Sequence, residues 1–336
     1  MSSGGICVQV SGVGGTDMLE LIEADIPVPK PDEILVRIHA AGVAYADVKM
    51  RRGVYPGAPA FPFVPGYDFS GTVVSVGAAA ERHSPGDEVV GLSFVGAYAQ
   101  YLALRPEHVV RKPPGVGFVE ASACVLNYIT ALQMIDRSAY VVAGKTVLIH
   151  GGGGGVGTAL LDLGRVRGIR TIATASTVKH LLVTSYGGEP IDYRSCDFVQ
   201  KVRTMVGGVD AVFDHLGGAH LWRSRSALRS NGILVGYGFA DAAKNGQSQV
   251  VRETFAAILE MQALAGTSAT FYAILSERYG FMEHIASDLG RIMTMLERGQ
   301  IRPHIGSVMP LAAASDAHAL LEAGESSGKV VLDCLK

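Results

Sequence analysis

Two rhythms of apolar and polar residues divide this chain. Over the first 120 or so residues, short apolar segments such as Ile34-Leu35-Val36-Arg37-Ile38 and Gly71–Val76 are broken every few residues by Pro and Gly. Val-rich runs bounded by such breakers predict strands joined by turns, and so a β-rich unit. Beyond Asn127, the runs Thr146–His150, Thr171–Thr174, Asp210–Phe213 and Ile233–Gly236 are short, apolar and separated by helix-length stretches. Strands covered by helices on both faces need that near-continuous apolarity, so these runs predict a parallel α/β sheet. From about Tyr279 an amphipathic helix over Leu289–Arg298 precedes Ile305–Pro310 and Lys329–Leu332, which are expected to return to the first unit. The patch Gly324–Gly328 reads as a solvated turn.

With 336 residues and 48% hydrophobic composition, the chain can bury two cores. Its formal charge of -2, from 29 basic and 31 acidic residues, supplies no cationic field for a phosphate backbone, so nucleic acid is not an expected partner. No uninterrupted apolar run approaches the roughly 18 to 20 residues that cross a bilayer, and the start Met1-Ser2-Ser3-Gly4-Gly5 has no basic region before an apolar one. The expectation is a cytoplasmic protein with no membrane partner. Cys7, Cys124, Cys196 and Cys334 are too scattered for a metal knuckle and read as isolated thiols.

The segment from Gly151 to Gly157 is glycine apart from Val156, with an apolar run before it and a helical pattern after it. Gly152, Gly154 and Gly157 fit the spacing of a dinucleotide-binding turn. A side chain there would hold the backbone off a pyrophosphate, whose charge the free N–H groups of the helix expected to begin near Thr158 could meet, with Gly155, Val156 and Gly157 of the turn as further expected contacts. In a chain with 42 glycines the pattern alone is weak, and its place between strand and helix gives it weight.

A fold of this kind selecting NADH carries an acidic residue at the end of the second strand, to accept from the ribose 2′-hydroxyl. Here the region reads Ala175-Ser176-Thr177-Val178-Lys179-His180. Ser176, Lys179 and His180 could instead meet a 2′-phosphate, which points to NADPH. The alternative is that Ser176 only caps a helix and Lys179 is a solvated charge.

Taken in order, the motifs Gly42–Asp47, Arg52–Pro56, Phe61–Gly71, Pro85–Gly91, Asn127–Ala131, the glycine turn, Phe213–Gly218 and Gly328–Leu332 resemble the medium-chain dehydrogenase/reductase superfamily, in its quinone oxidoreductase branch. The resemblance implies an α/β fold with a GroES-like catalytic domain over 1–125 and 275–336. It also implies a doubly wound parallel-sheet Rossmann domain over 126–274, with substrate in the cleft between them. A homodimer through an edge strand is implied too, with Gly266–Ile274 as the segment. The zinc-dependent branch holds its metal with two Cys and one His, at positions matching Ala44, Tyr67 and about Leu126 here; none of these can ligate it, so no metal is expected.

Without a Lewis acid, the implied small-molecule substrate is already electron-poor: a quinone or an α,β-unsaturated carbonyl compound. By the same resemblance Tyr55 matches a proton donor of enoyl thioester reductases, Tyr45 and Asp47 line the substrate cleft, and Asn127 and Thr130 approach the nicotinamide. Tyr193, Leu216, Gly236 and Tyr237 complete the implied cofactor contacts, while His215 is expected as a cleft-edge side chain and not a base. Tyr55 has an alternative as a turn aromatic before Pro56, Tyr45 as a packing residue and Asp47 as a helix cap. Two departures stand out: Ala44 where an Asn is common, and Gly152-Gly153 where residues with side chains are common, which is expected to loosen the loop. Two other functions stay open, an enoyl thioester reductase and a non-catalytic NADPH-binding protein. A carrier phosphopantetheine would need a basic patch, for which Lys49–Arg52 is the nearby candidate, with a solvated charged face as the alternative reading.

Overall fold

The protein is described by a computed structural model covering residues 4–240, 248–266, 268–275 and 281–336. Tyr279 and Thr267, which begin the expected C-terminal stretch and belong to the expected dimer segment, lie outside the described residues. The chain divides into two compact units, Met1–Ile129 with Met282–Lys336, and Thr130–Phe281.

The first unit opens with an antiparallel ribbon, β1 (Gly4–Val10) on β2 (Leu19–Asp25). There follow β3 (Ile34–Val43), helix α1 (Tyr45–Arg51), β4 (Asp68–Val76), β5 (Glu88–Leu92), β6 (Tyr101–Leu104) and β7 (Val109–Arg111). Helix α2 (Phe118–Gln133) continues through a π turn, Met134–Ser138. This stretch of 21 residues is long and apolar enough to cross a membrane by composition, contrary to the run-based reading; 78% of its most apolar window is buried in the protein, as in a core helix.

The second unit alternates β8 (Thr146–His150), α3 (Gly155–Arg167), β9 (Arg170–Ala175), α4 (His180–Ser185), β10 (Glu189–Asp192), α5 (Phe198–Val206), β11 (Val209–Asp214), α6 (His220–Ser226), β12 (Leu228–Gly236), α7 (Ser248–Gln262) and β13 (Ser268–Phe271). All six strands are parallel, in the order β10-β9-β8-β11-β12-β13. Numbered within the unit this is 3-2-1-4-5-6, the doubly wound order, and it reverses between β8 and β11. Every residue of β8 is buried, which is why it reads as an unbroken apolar run.

Helix α8 (Phe281–Glu297), β14 (Ile305–Pro310), α9 (Ala314–Glu322) and β15 (Lys329–Asp333) lead the chain back to the first unit. There β15 pairs β3 antiparallel and β14 parallel, completing the larger sheet. Ile34, Val36 and Ile38 point from β3 into its core with Phe69, Val73, Val89 and Leu332. Each such side chain contributes about 1.5–3 kcal/mol on burial. A buried ion pair fastens the return: Lys329 Nζ donates to both carboxylate oxygens of Asp68, at 3.0 and 2.8 Å, and the amide of Leu126 donates to the same group at 3.1 Å. Gly42 leaves the room, since a Cβ there would strike both charged groups.

Asp47 corrects one sequence expectation. It is fully buried, so it does not line a substrate site. Its Oδ2 accepts from the amide of Ala44 at 2.9 Å and its Oδ1 from that of Gly66 at 3.1 Å, while the Tyr98 hydroxyl donates to Oδ2 at 3.3 Å. The carboxylate thus starts α1 and pins the loop before β4. Burial pushes its pKa up to about 7, against the pull of the two backbone donors.

An unfolded aspartate titrates near about 4. With the folded value higher, Asp47 favours the fold fully below about pH 4, and that contribution is lost as the pH rises to about 7. Asp47→Asn is expected to cost roughly 1–3 kcal/mol near pH 5, a cost that shrinks toward pH 7. Urea midpoints of both proteins across this range check it; no cost, or one constant with pH, contradicts it.

Candidate functional site

The turn after β8 is built on close approaches. Gly151 takes φ +70°, a left-handed conformation that favours glycine, and its amide donates to Thr174 Oγ1 at 3.3 Å. The amide of Gly152 donates to the Thr174 carbonyl at 2.9 Å, tying the turn to β9. A Cβ on Gly157 would run into the Gly151 carbonyl and lie 2.8 Å from Gly152 Cα, so α3 meets the turn at a spacing only glycine permits. Gly154 caps the helix in extended conformation, and Gly155, Val156 and Gly157 form its first turn. Their N–H groups have no carbonyl one turn back, which leaves them directed at an anion. The strand, the glycine cradle and the helix start fit the pyrophosphate of a dinucleotide.

The two unusual glycines have a structural reason. A Cβ at Gly152 would come 2.6 Å from the Ala173 methyl, and one at Gly153 would come 2.5 Å from Lys179 Cδ. Gly153 therefore seats the aliphatic stem of Lys179 against the turn, where the sequence suggested only a looser loop. Burial, then the positive charge of Arg194, hold the Lys179 ammonium below its ordinary pKa. Arg194, which the sequence reading passed over, follows Tyr193 just after β10; its guanidinium lies 5.7 Å from the Tyr193 ring, itself 53% exposed. Ser176 opens the short turn after β9 with no side-chain capping bond. His180 departs from expectation, because its Nε2 is directed to the Ala175 carbonyl at 3.3 Å, committing that nitrogen to the main chain. Asp192, at the end of β10, accepts from the Thr177 hydroxyl at 2.7 Å and the Arg194 amide at 2.9 Å.

The remaining cofactor positions fall at strand ends and on α2. Leu216 follows β11, its amide held by Asp214 Oδ1 at 2.8 Å; Gly236 ends β12; and the Tyr237 amide donates to the Asp214 carbonyl at 2.8 Å. His215 lies against the glycine turn, with its Cε1 2.6 Å from where a Gly151 Cβ would be. Asn127 and Thr130 are both buried, one turn apart on α2.

In the first unit, Tyr55 and Tyr67 bring their hydroxyls together at 2.6 Å. Burial raises both phenols above the ordinary tyrosine pKa, so both are protonated at neutral pH. Tyr67 was read only as a position unable to bind zinc, and its partnership with Tyr55 was not visible in the spacing. Tyr45 is half-buried, with Lys49 Nζ 5.6 Å from its ring centre. The basic stretch Lys49–Arg52 is not a docking patch. Lys49 and Arg51 are buried; Arg51 binds the Gly14 carbonyl and Glu322 at 2.6 Å each, and Arg52 binds Glu322 at 2.7 Å. Ala44 is buried, and the Leu126 amide is spent on Asp68. The residues at the three positions of the alcohol dehydrogenase metal do not fit zinc. None of the four cysteines forms a disulfide; three are buried and Cys196 is exposed.

Comparison with known proteins agrees with this arrangement. Residues 30–114 match the alcohol dehydrogenase GroES-like domain, and residues 187–332 match the zinc-binding dehydrogenase family. The human synaptic vesicle membrane protein VAT-1 homolog is 30% identical over 97% of this chain and 86% of its own length. Human quinone oxidoreductase is 30% identical over 97% of this chain and 96% of its own. A mycobacterial structure complexed with NADPH is 29% identical and superposes with a TM-score of 0.84, covering 98% of this chain and 99% of that one. With its nicotinamide-binding sheet order, its glycine cradle and relatives matching end to end, the chain belongs to the medium-chain dehydrogenase/reductase superfamily, in the quinone oxidoreductase-like branch.

Proposed function

We propose that this protein is an NADPH-dependent reductase that delivers a hydride to a quinone or an α,β-unsaturated carbonyl compound without catalytic zinc. The observation that carries the reading is the seating of Lys179 against Gly153, which brings an ammonium group to the phosphate-binding turn while the end of β9 holds no carboxylate. Arg194 adds a second cation nearby, and a 2′-phosphate between them would relieve their mutual repulsion. Asp192 ends β10 and not β9, so it does not stand at the second-strand end from which an NADH-selecting carboxylate accepts a ribose hydroxyl. The face of Tyr193 suits stacking on the adenine. NADPH-bound structures among the relatives support the same choice.

When bound, the reduced nicotinamide supplies the hydride. The chain's own part is to hold the electrophile and supply a proton. Tyr55 is the proton donor in this reading: Tyr67 donates to its oxygen, which leaves the Tyr55 proton for the developing enolate or hydroquinone oxygen and stabilises the phenolate left behind. Tyr45 then belongs to the substrate surface. Homodimerisation through β13, at the end of its sheet, and a cytoplasmic location belong to the same proposal. The carrier-protein alternative loses its basic patch, because Lys49 and Arg51 are buried and Arg51 is ion-paired.

Tyr55→Phe is expected to lower turnover of an enone at saturating NADPH by about 100- to 10,000-fold. Tyr67→Phe, which loses only the supporting hydrogen bond, should cost about tenfold. Steady-state kinetics read both, and a Tyr55→Phe enzyme of undiminished turnover removes this tyrosine from the chemistry. Lys179→Glu is expected to weaken NADPH binding roughly 10- to 100-fold, as the loss of a charge-assisted hydrogen bond implies, with little effect on NADH. Equal affinity for NADPH in variant and parent, measured by nicotinamide fluorescence, contradicts the assigned contact.

A further inference from the structure

The sheet of the second unit carries a polar cluster that the reaction does not use. His150 ends β8 and Asp214 ends β11, the two strands between which the order reverses, and α6 adds His220 and, one turn later, Ser224. His150, Asp214 and Ser224 are buried, and His220 is 21% exposed along its side chain. Asp214 Oδ2 lies 2.7 Å from His220 Nδ1 and 2.6 Å from Ser224 Oγ; Ser224 Oγ lies 3.0 Å from His150 Nε2 and 3.3 Å from His220 Nδ1. The histidine and aspartate donor atoms all fall within 4.8 Å of one another.

Four donors around tetrahedral zinc, with bonds of about 2.0–2.2 Å, stand roughly 3.3–3.5 Å apart. The observed separations bracket that spacing: the hydrogen-bonded pairs stand 2.6 to 3.3 Å apart, and the histidine and aspartate atoms all lie within 4.8 Å. Its outer contacts also have the pattern that orients metal ligands. The other nitrogen of His150 meets Thr174 Oγ1 at 3.1 Å, and the other oxygen of Asp214 accepts from the amides of Leu216 and Gly217 at 2.8 and 3.1 Å. Phe198 walls the cluster, packing edge-on to His150 and stacked on His220. Among the described residues no Lys or Arg bonds the buried Asp214 carboxylate, and only His220, when protonated, offers it a positive charge, which a bound cation would supply at any protonation state.

We propose that His150, Asp214 and His220, with Ser224 or a water as fourth ligand, form a zinc site in the nucleotide-binding unit. Two imidazoles and one carboxylate suit zinc, where magnesium or calcium would call for an oxygen-only set. The site is separate from the positions of the alcohol dehydrogenase metal and does not rest on the proposed reaction. Its role is bracing. Thr174, which contacts His150, also accepts from Gly151 in the glycine turn, and Asp214 holds the turn of Leu216 and Gly217. A metal bound only in the folded state stabilises that state.

The test is to strip the purified full chain with chelator, reload it with excess zinc, desalt it and measure bound metal. About one zinc per chain, the visible absorption of four-coordinate cobalt(II) after cobalt loading, and a rise in Tm on adding zinc are expected. His220→Asn, at the most exposed ligand, should lose all three while keeping the circular dichroism of the parent. Cys196→Ser removes the exposed thiol as a source of adventitious zinc and should keep all three. A parent that retains no zinc, a His220→Asn protein that retains as much as the parent, or loss on Cys196→Ser would each overturn the site and leave a hydrogen-bonded polar core.

Discussion

The closeness of α3 to the end of β8 is the constraint on which the nucleotide-binding unit depends. With no Cβ at Gly157, the helix start packs onto the Gly151 carbonyl, and the turn between them is short enough to present backbone N–H groups to a phosphate. Sheet order, helix direction and glycine placement converge on one anion site where the strand order reverses. In the proposed reading the Lys179 stem packed on Gly153 would extend that site toward a second phosphate, and cofactor choice would follow from the same absence of side chains that shapes the turn.

The first unit is held by a different device. Its last strand joins a sheet begun far earlier in the chain, and the Asp68–Lys329 pair, with the Leu126 amide, anchors that long-range closure inside the core. A buried pair of this kind adds little net stability, but losing one partner would strand a charge, so it disfavours other arrangements of the strand. Asp47 does the same for the start of α1 through the amides of Ala44 and Gly66. In the same unit Tyr55 and Tyr67 sit as a pair of phenols, protonated and in contact.

Much of the architecture was legible because its signals are local. The run Thr146–His150 is an unbroken buried strand, and Ile305–Pro310 is a strand with the bounds its pattern predicts. The glycine turn was legible from its spacing and from Gly157, which answers to the backbone of Gly151 and Gly152, whereas Gly152 and Gly153 answer to side chains on and after β9. The helix predicted from Leu289 begins earlier, at Phe281. Asp47 misled because a carboxylate in a family motif reads alike whether it faces substrate or caps a helix; only its burial and the amide of Gly66 decide. Lys49–Arg52 misled similarly, since pairing with Glu322 depends on a helix near the other end of the chain. The Tyr55–Tyr67 contact and the meeting of His150 with Asp214 and His220 are products of tertiary folding that no spacing rule encodes.

Which nucleotide the glycine turn accepts is the central question. Calorimetric titration of the purified protein with NADPH and, separately, NADH measures this without any assumption about substrate. One NADPH per chain is expected, bound at least tenfold more tightly than NADH, about 1.4 kcal/mol. Binding of neither nucleotide, or a preference for NADH, would contradict it.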